Sequence, residues 1–257
     1  MDVILVYPVL FEIGSIEIYS YGVALVLAFI TGIYFVSREA PAKGVSQDRV
    51  LDLSILIGIS ALIGSRLAYV ILNWSYYAQD PSLIIGGVGG LSFHGGLVLA
   101  FLVSFWYVRR HNLPVGITAD LIAPYVALGY AITRIGCFLN GCCYGKPSDL
   151  PWALPVSLTE EILRHPVQLY ASVLNLFIFA GLLYIRDKKP FNGYVFVVYA
   201  GLYGLYRFVI EFFREEELLV SYFTLAQLVS LLMIAVSLLL IKFWPWGGES
   251  VKNEGYK

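Results

Sequence analysis

Seven stretches of this chain are apolar over roughly the length an α-helix needs to cross a bilayer, about 20 residues. They run 19–37, 50–73, 94–108, 118–137, 166–185, 193–213 and 222–244. Hydrocarbon offers no water to the backbone, so a segment at that depth must satisfy its own N–H and C=O groups, and long uninterrupted apolar runs do so as helices. The pattern predicts an all-α integral membrane protein with seven transmembrane helices in one multispanning domain over residues 1–257. Composition agrees: 59% of residues are hydrophobic and 14% charged, against about 25% charged in soluble globular proteins. The third stretch is short and is expected to begin inside the glycine-rich run that precedes it.

Lys and Arg between the stretches are segregated. One side receives eleven: Arg38, Lys43, Arg49, Arg109, Arg110, Arg186, Lys188, Lys189, Lys242, Lys252 and Lys257. The other receives three: Lys146, Arg164 and Arg214. The excess marks the cytoplasmic side, so the amino terminus is expected outside and the carboxyl terminus inside. Residues 1–18 carry Asp2, Glu12 and Glu17 without Lys or Arg, which does not match the basic start of a cleavable secretory signal. No polybasic tail is present, and no nucleic-acid partner is expected.

That leaves three arginines inside apolar stretches: Arg66, Arg134 and Arg207. A guanidinium near mid-bilayer costs about 2.5–3.5 kcal/mol on insertion scales. One such residue can pair with a carboxylate or reach the surface; three repeat a pattern. Stretches two, four and six all run from inside to outside, and each arginine lies in the later half. His94, at the outer start of stretch three, joins them in the outer leaflet. Together they predict an anion site facing away from the cytoplasm, with His94 alternatively an interfacial histidine hydrogen-bonded to water.

Gly86-Gly-Val-Gly-Gly-Leu-Ser-Phe-His-Gly-Gly96 lacks the spacing of a dinucleotide fingerprint. It reads instead as a re-entrant segment, since irregular backbone at membrane depth survives only against protein or a water-filled cavity. The outer connection 138–165 holds Pro147, Pro151, Pro155, Glu160 and Glu161 and suits a flap or partner-binding loop. It closes on Arg164-His-Pro-Val-Gln-Leu-Tyr170, where Gln168 serves either helix-to-helix hydrogen bonding or substrate contact. Tyr203, Arg207, Glu211 and Arg214 lie along one helical stripe. An Arg207–Glu211 pair alone is worth little, yet it would aim the guanidinium fork, which suits phosphate. Tyr19 and Tyr21 fit an aromatic belt. The three cysteines, Cys137, Cys142 and Cys143, sit in one short stretch, which excludes a spread disulfide framework. Their Cys-x4-Cys-Cys order lacks common zinc spacing, so neither metal nor other cofactor is expected.

These motifs resemble the prolipoprotein diacylglyceryl transferases, bacterial inner-membrane enzymes of seven spans. The resemblance is carried by Tyr21-Gly22, Gly64-Ser-Arg66-Leu-Ala-Tyr69, Ser92-Phe-His-Gly-Gly96 and Arg134-Ile-Gly136 with Asn140-Gly141 and Tyr144-Gly145. Arg164-His-Pro-Val-Gln-Leu-Tyr170, Tyr203-Gly-Leu-Tyr-Arg207 and Glu211-Phe-Phe-Arg214 complete it. It implies transfer of the diacylglyceryl group of phosphatidylglycerol to the lipobox cysteine of a preprolipoprotein signal peptide, at a multi-pass protein among membrane lipids. It implies His94, Arg134 and Arg207 as catalytic residues, and Tyr21, Arg66, Asn140, Gly145, Tyr203 and Glu211 as substrate-binding ones. Cys137 and Cys142 stand where many members have Asn and Glu, and Ala171 where Glu is common.

Overall fold

The computed structural model describes residues 6–14, 16–86, 90–155, 162–215 and 222–243. Gly87 and Gly89 of the glycine-rich run, and Asp2, Glu160, Glu161, Trp244, Lys252 and Lys257, lie outside them. The long helices are α1 (Ser20–Glu39), α2 (Gln47–Leu72), α5 (Phe93–Arg110), α6 (Val115–Leu139), α7 (Val167–Ile185), α8 (Tyr194–Glu211) and α9 (Leu225–Phe243). Single turns, α3 (Trp74–Tyr77) and α4 (Leu83–Gly86), lie between α2 and α5. Each apolar stretch is thus a helix, with ends within three residues of those expected.

Six of the seven are long and apolar enough to cross a membrane by length and composition. The exception, α5, is 18 residues long and carries His94 in its first turn and Arg109 and Arg110 in its last. Large apolar side chains face outward along these helices, among them Ile30 (56% exposed), Leu62 (65%), Phe101 (62%), Phe177 (71%) and Leu232 (63%). A water-soluble protein does not leave so much contiguous apolar surface uncovered; lipid tails cover it without cost.

Strands were not expected, and two short antiparallel pairs occur. β1 (Val9–Ile13) pairs with β2 (Ile16–Tyr19), with Glu12 opposite Glu17. Gly14 at the turn has φ +64°, a left-handed conformation that glycine adopts without Cβ strain. β3 (Leu154–Pro155) pairs with β4 (Leu163–Arg164) in the connection between α6 and α7. Both are too short for periodicity to reveal.

The chain divides into two compact units, Met1–Val36 with Gly116–Lys257, and Ser37–Val115. In the first, Ala123, Ala127, Leu182 and Val195 from α6, α7 and α8 are fully buried together. A second cluster of Val167, Ala171, Tyr206 and Ile210 packs against Tyr130, Tyr170 and Tyr203. The buried Asp120 receives Lys189 Nζ at 2.8 Å and the backbone N–H groups of Gly193 (2.8 Å) and Phe196 (3.0 Å). A carboxylate there neutralises Lys189 and caps the amino end of α8, where a negative charge is stabilised by the helix dipole.

In the second unit α2 and α5 meet through small residues, the usual way membrane helices approach closely. A Cβ on Gly64 would lie 2.5 Å from the Gly95 carbonyl oxygen and 2.6 Å from Leu99 Cβ. Gly64→Ala is therefore expected to lower the thermal unfolding midpoint in detergent, by the about 1–3 kcal/mol of an overpacked contact. Gly32→Ala, with nothing within 4 Å of the new methyl, should leave it unchanged; equal midpoints for the two variants would contradict the contact.

Candidate active site

Arg134 lies in the last turns of α6, four residues after Tyr130, and its Nη2 donates to the Tyr130 hydroxyl. The guanidinium carbon also sits 4.7 Å from the centre of the Tyr130 ring. Tyr130 in turn shares a hydrogen bond of 3.1 Å with the Tyr206 hydroxyl and meets the Tyr203 ring edge to face at 5.7 Å. A cation held by a phenol and a π-face is oriented without being neutralised, so its remaining N–H groups keep their capacity for an anion.

α8 repeats the arrangement. Arg207 follows Tyr203 by four residues, and its Nη1 lies 3.0 Å from Glu211 Oε2. Arg214 Nε approaches the same oxygen at 3.7 Å. Oε2 makes these as ion-pair contacts without hydrogen-bond alignment, while Thr224 Oγ1 donates to Oε1 at 2.9 Å. Glu211 is 4% exposed, so one buried carboxylate orients two cations and leaves net positive charge. Tyr203, one turn before Arg207, meets the ring of Tyr130, which in turn holds Arg134.

The loop after α6 completes the assembly. Asn140 N–H donates to Gly136 O at 2.9 Å, and Cys142 N–H to Cys137 O at 3.1 Å, folding the chain back over the helix end. Gly141 and Cys143 take the left-handed conformation, at φ +69° and +65°. Gln168 Nε2 donates to Cys142 O at 2.5 Å, and its Oε1 has no hydrogen-bond partner among the described residues, so this buried glutamine ties loop to helix. Gly145 N–H donates to His165 O at 2.9 Å, and Lys146 N–H to Phe213 O at 2.8 Å. A Cβ on Gly145 would meet Val167 at 2.7 Å and His165 at 2.8 Å, so only glycine fits. Tyr21, near the start of α1, sets its backbone against α6, where a Cβ on Gly136 would lie 3.4 Å from its Cα. Outside the span, burial pushes the Tyr144 hydroxyl above its ordinary range. Sulfur hydrogen bonds from Cys137 and Cys142, with the nearby charges of Arg134 and Arg214, hold the Cys143 thiol well below the usual range.

Arg66 and His94 belong to the second unit. Arg66 donates from Nη2 to Leu83 O at 2.8 Å, from Nε to Ile84 O at 3.0 Å and from Nη1 to Gly90 O at 3.3 Å. Its guanidinium lies 5.4 Å from the Tyr77 ring centre. It thus ties the first two carbonyls of α4 to that of Gly90, three residues before α5. Ser92 N–H donates to Ser65 O at 2.9 Å, two residues before His94, which is exposed in the first turn of α5.

Tyr130, Tyr206 and Thr224 were not anticipated as site residues. Tyr130 had a legible signal, since it precedes Arg134 by the same four residues that separate Tyr203 from Arg207. Thr224 had none, because its contact with Glu211 joins separate helices.

Six helices long and apolar enough to cross a membrane, with Arg134 seated on Tyr130 and Arg207 paired with Glu211, describe a multi-pass membrane protein that carries cationic side chains on its spans. A sequence profile of prolipoprotein diacylglyceryl transferase matches residues 8–243, and the chain belongs to that family. It is 35% identical over 240 residues to the phosphatidylglycerol–prolipoprotein diacylglyceryl transferase of Geobacter sulfurreducens, covering 90% of this chain and 92% of that one. The enzyme of the same name from Finegoldia magna is 34% identical over 90% of this chain and 93% of its own. That of Nostoc sp. is 37% identical over 90% and 87%.

Proposed function

We propose that this chain transfers the diacylglyceryl group of phosphatidylglycerol to the lipobox cysteine thiol of preprolipoproteins, the first step of lipoprotein maturation. The observation that carries the reading is Tyr130, which holds the Arg134 guanidinium and bonds Tyr206 on α8, the helix that carries Arg207. The acceptor thiolate attacks the glyceryl carbon, a C–S bond forms, and the C–O bond breaks with its electron pair going to the departing glycerol phosphate. The charge that grows on that leaving group is the main electrostatic demand, and preorganised donors meet it best. Arg134 and Arg207 hold the phosphate, and His94 deprotonates or positions the thiol. Tyr21, Arg66, Asn140, Gly145, Tyr203 and Glu211 bind substrate. The chain crosses the bacterial inner membrane seven times, amino terminus outside and carboxyl terminus in the cytoplasm, with residues 86–96 re-entrant and the site in the outer leaflet.

Vesicles containing the purified protein, phosphatidylglycerol labelled in its acyl chains and a lipobox peptide test this directly. The peptide should gain the mass of a diacylglyceryl group and a serine analogue should not. Label retained unmodified on the protein would turn the reading towards a lipid-binding or transport function. The role of His94 is tested separately: His94→Asn should flatten the acid limb of the pH–rate profile, and an unchanged profile would remove it as base.

A further inference from the structure

The three sulfurs of Cys137, Cys142 and Cys143 lie within 4.8 Å of one another, although their spacing in sequence resembles no common metal motif. The backbone explains how. Cys137 is in the last turn of α6, the Cys142 N–H returns to its carbonyl oxygen, and the left-handed Gly141 and Cys143 swing the next two sulfurs back over the helix end. Cys142 Sγ and Cys143 Sγ are 3.6 Å apart. Thiolates bound at about 2.3 Å around a tetrahedral or trigonal ion stand about 3.8–4.0 Å from each other, so small side-chain rotations suffice.

We propose that Cys137, Cys142 and Cys143 form a three-thiolate site for one thiophilic divalent d10 metal ion, of the zinc class. Among the described residues no fourth His, Cys, Asp or Glu joins the group. One coordination position is therefore left to water or to an incoming ligand, the arrangement that distinguishes open sites from closed structural ones. Ligand number selects the ion: three thiolates and one open position make up the four-coordinate shell that such a divalent ion takes. Burial also suits the role: Cys137 is buried, Cys142 half-buried and Cys143 exposed, so the ion has an anchor inside and an entry path outside. Ligation would pin the loop that carries Asn140 to the end of α6, beside Arg134.

The chain holds three cysteines in all, which makes the spectroscopic test unambiguous. Reduced protein without a polyhistidine tag is titrated anaerobically with Co²⁺ as probe, then with Zn²⁺ in competition. The expected result is one ion per chain, a thiolate-to-cobalt charge-transfer band that Zn²⁺ abolishes, and proton release on binding. Cys143→Ser, at an exposed position, should lower the affinity by about 100-fold and weaken the band by about a third. Cys137→Ser and Cys142→Ser should do at least as much. Equal thermal midpoints of the metal-free variants and parent exclude misfolding as the cause. Unchanged affinity in Cys143→Ser, absence of the band, or protein isolated without reductant showing two of its three sulfurs joined as a disulfide would each overturn the proposal, the last in favour of a redox pair. None of these readouts depends on diacylglyceryl transfer.

Discussion

Arg134→Lys should reduce transfer to the lipobox peptide by about 100-fold or more, with little change in the thermal midpoint. Lysine keeps the positive charge but presents a point donor in place of a rigid fork, so two directed hydrogen bonds to a phosphate become one. The tyrosine seat sharpens the prediction. Tyr130 both accepts from Nη2 and offers its ring face to the guanidinium, and an ammonium cannot make the planar stacking half of that contact. Removing one preorganised donor to a developing negative charge costs about 2.7–4 kcal/mol, or 10²–10³ in rate. Because the interaction grows as the leaving group charges, the loss should fall on kcat more than on KM. Tyr130→Phe keeps the ring and deletes the hydroxyl, so a smaller loss, about tenfold, is expected from a looser guanidinium. Near-parental transfer by Arg134→Lys would take the phosphate away from Arg134.

The same residues show where sequence alone was sufficient. Helix positions followed from apolar length, because a bilayer leaves the backbone so few options. The outlying arginines followed from the cost of a charge that cannot be shed. The pairing of Arg207 with Glu211 was readable from a separation of four on one helix, and the structure places them 3.0 Å apart. Contacts between helices were not readable. Thr224 reaches Glu211 from the start of α9, and Tyr206 of α8 bonds Tyr130 of α6; neither leaves a periodic trace. Arg66 was grouped with the other two by its depth, whereas its N–H groups hold carbonyls of Leu83, Ile84 and Gly90. Depth carries no record of such backbone contacts. The cysteines were set aside on spacing, and the fold brings their sulfurs together by turning the chain through two left-handed residues. A spacing rule presumes a known loop, and this loop is of another kind.

Glu211→Gln should be the more damaging change to the protein as a whole. The carboxylate is 4% exposed and stands between Arg207 and Arg214, whose side chains are 23% and 19% exposed. Glutamine is nearly isosteric and can still accept from Thr224, so shape and one hydrogen bond survive. What disappears is the negative charge that two largely buried cations share. Breaking a buried pair from one side costs about 3–5 kcal/mol, because the partner charge is left uncompensated in a medium of low polarity. The exposure that Arg207 and Arg214 retain places the expected loss at the lower end of that range. The thermal midpoint in detergent should drop by several degrees, and transfer should fall at least tenfold because Arg207 is no longer aimed. The pair of readouts separates two roles. If Glu211 only stabilises the fold, raising the protein's phosphatidylglycerol content should restore both midpoint and activity. If it also orients Arg207, the midpoint recovers with bound lipid while kcat stays low. An Arg207→Lys, Glu211→Gln double variant then decides between them: its transfer rate should match that of Arg207→Lys alone when the carboxylate works through the guanidinium fork, and fall multiplicatively below it when the two act independently.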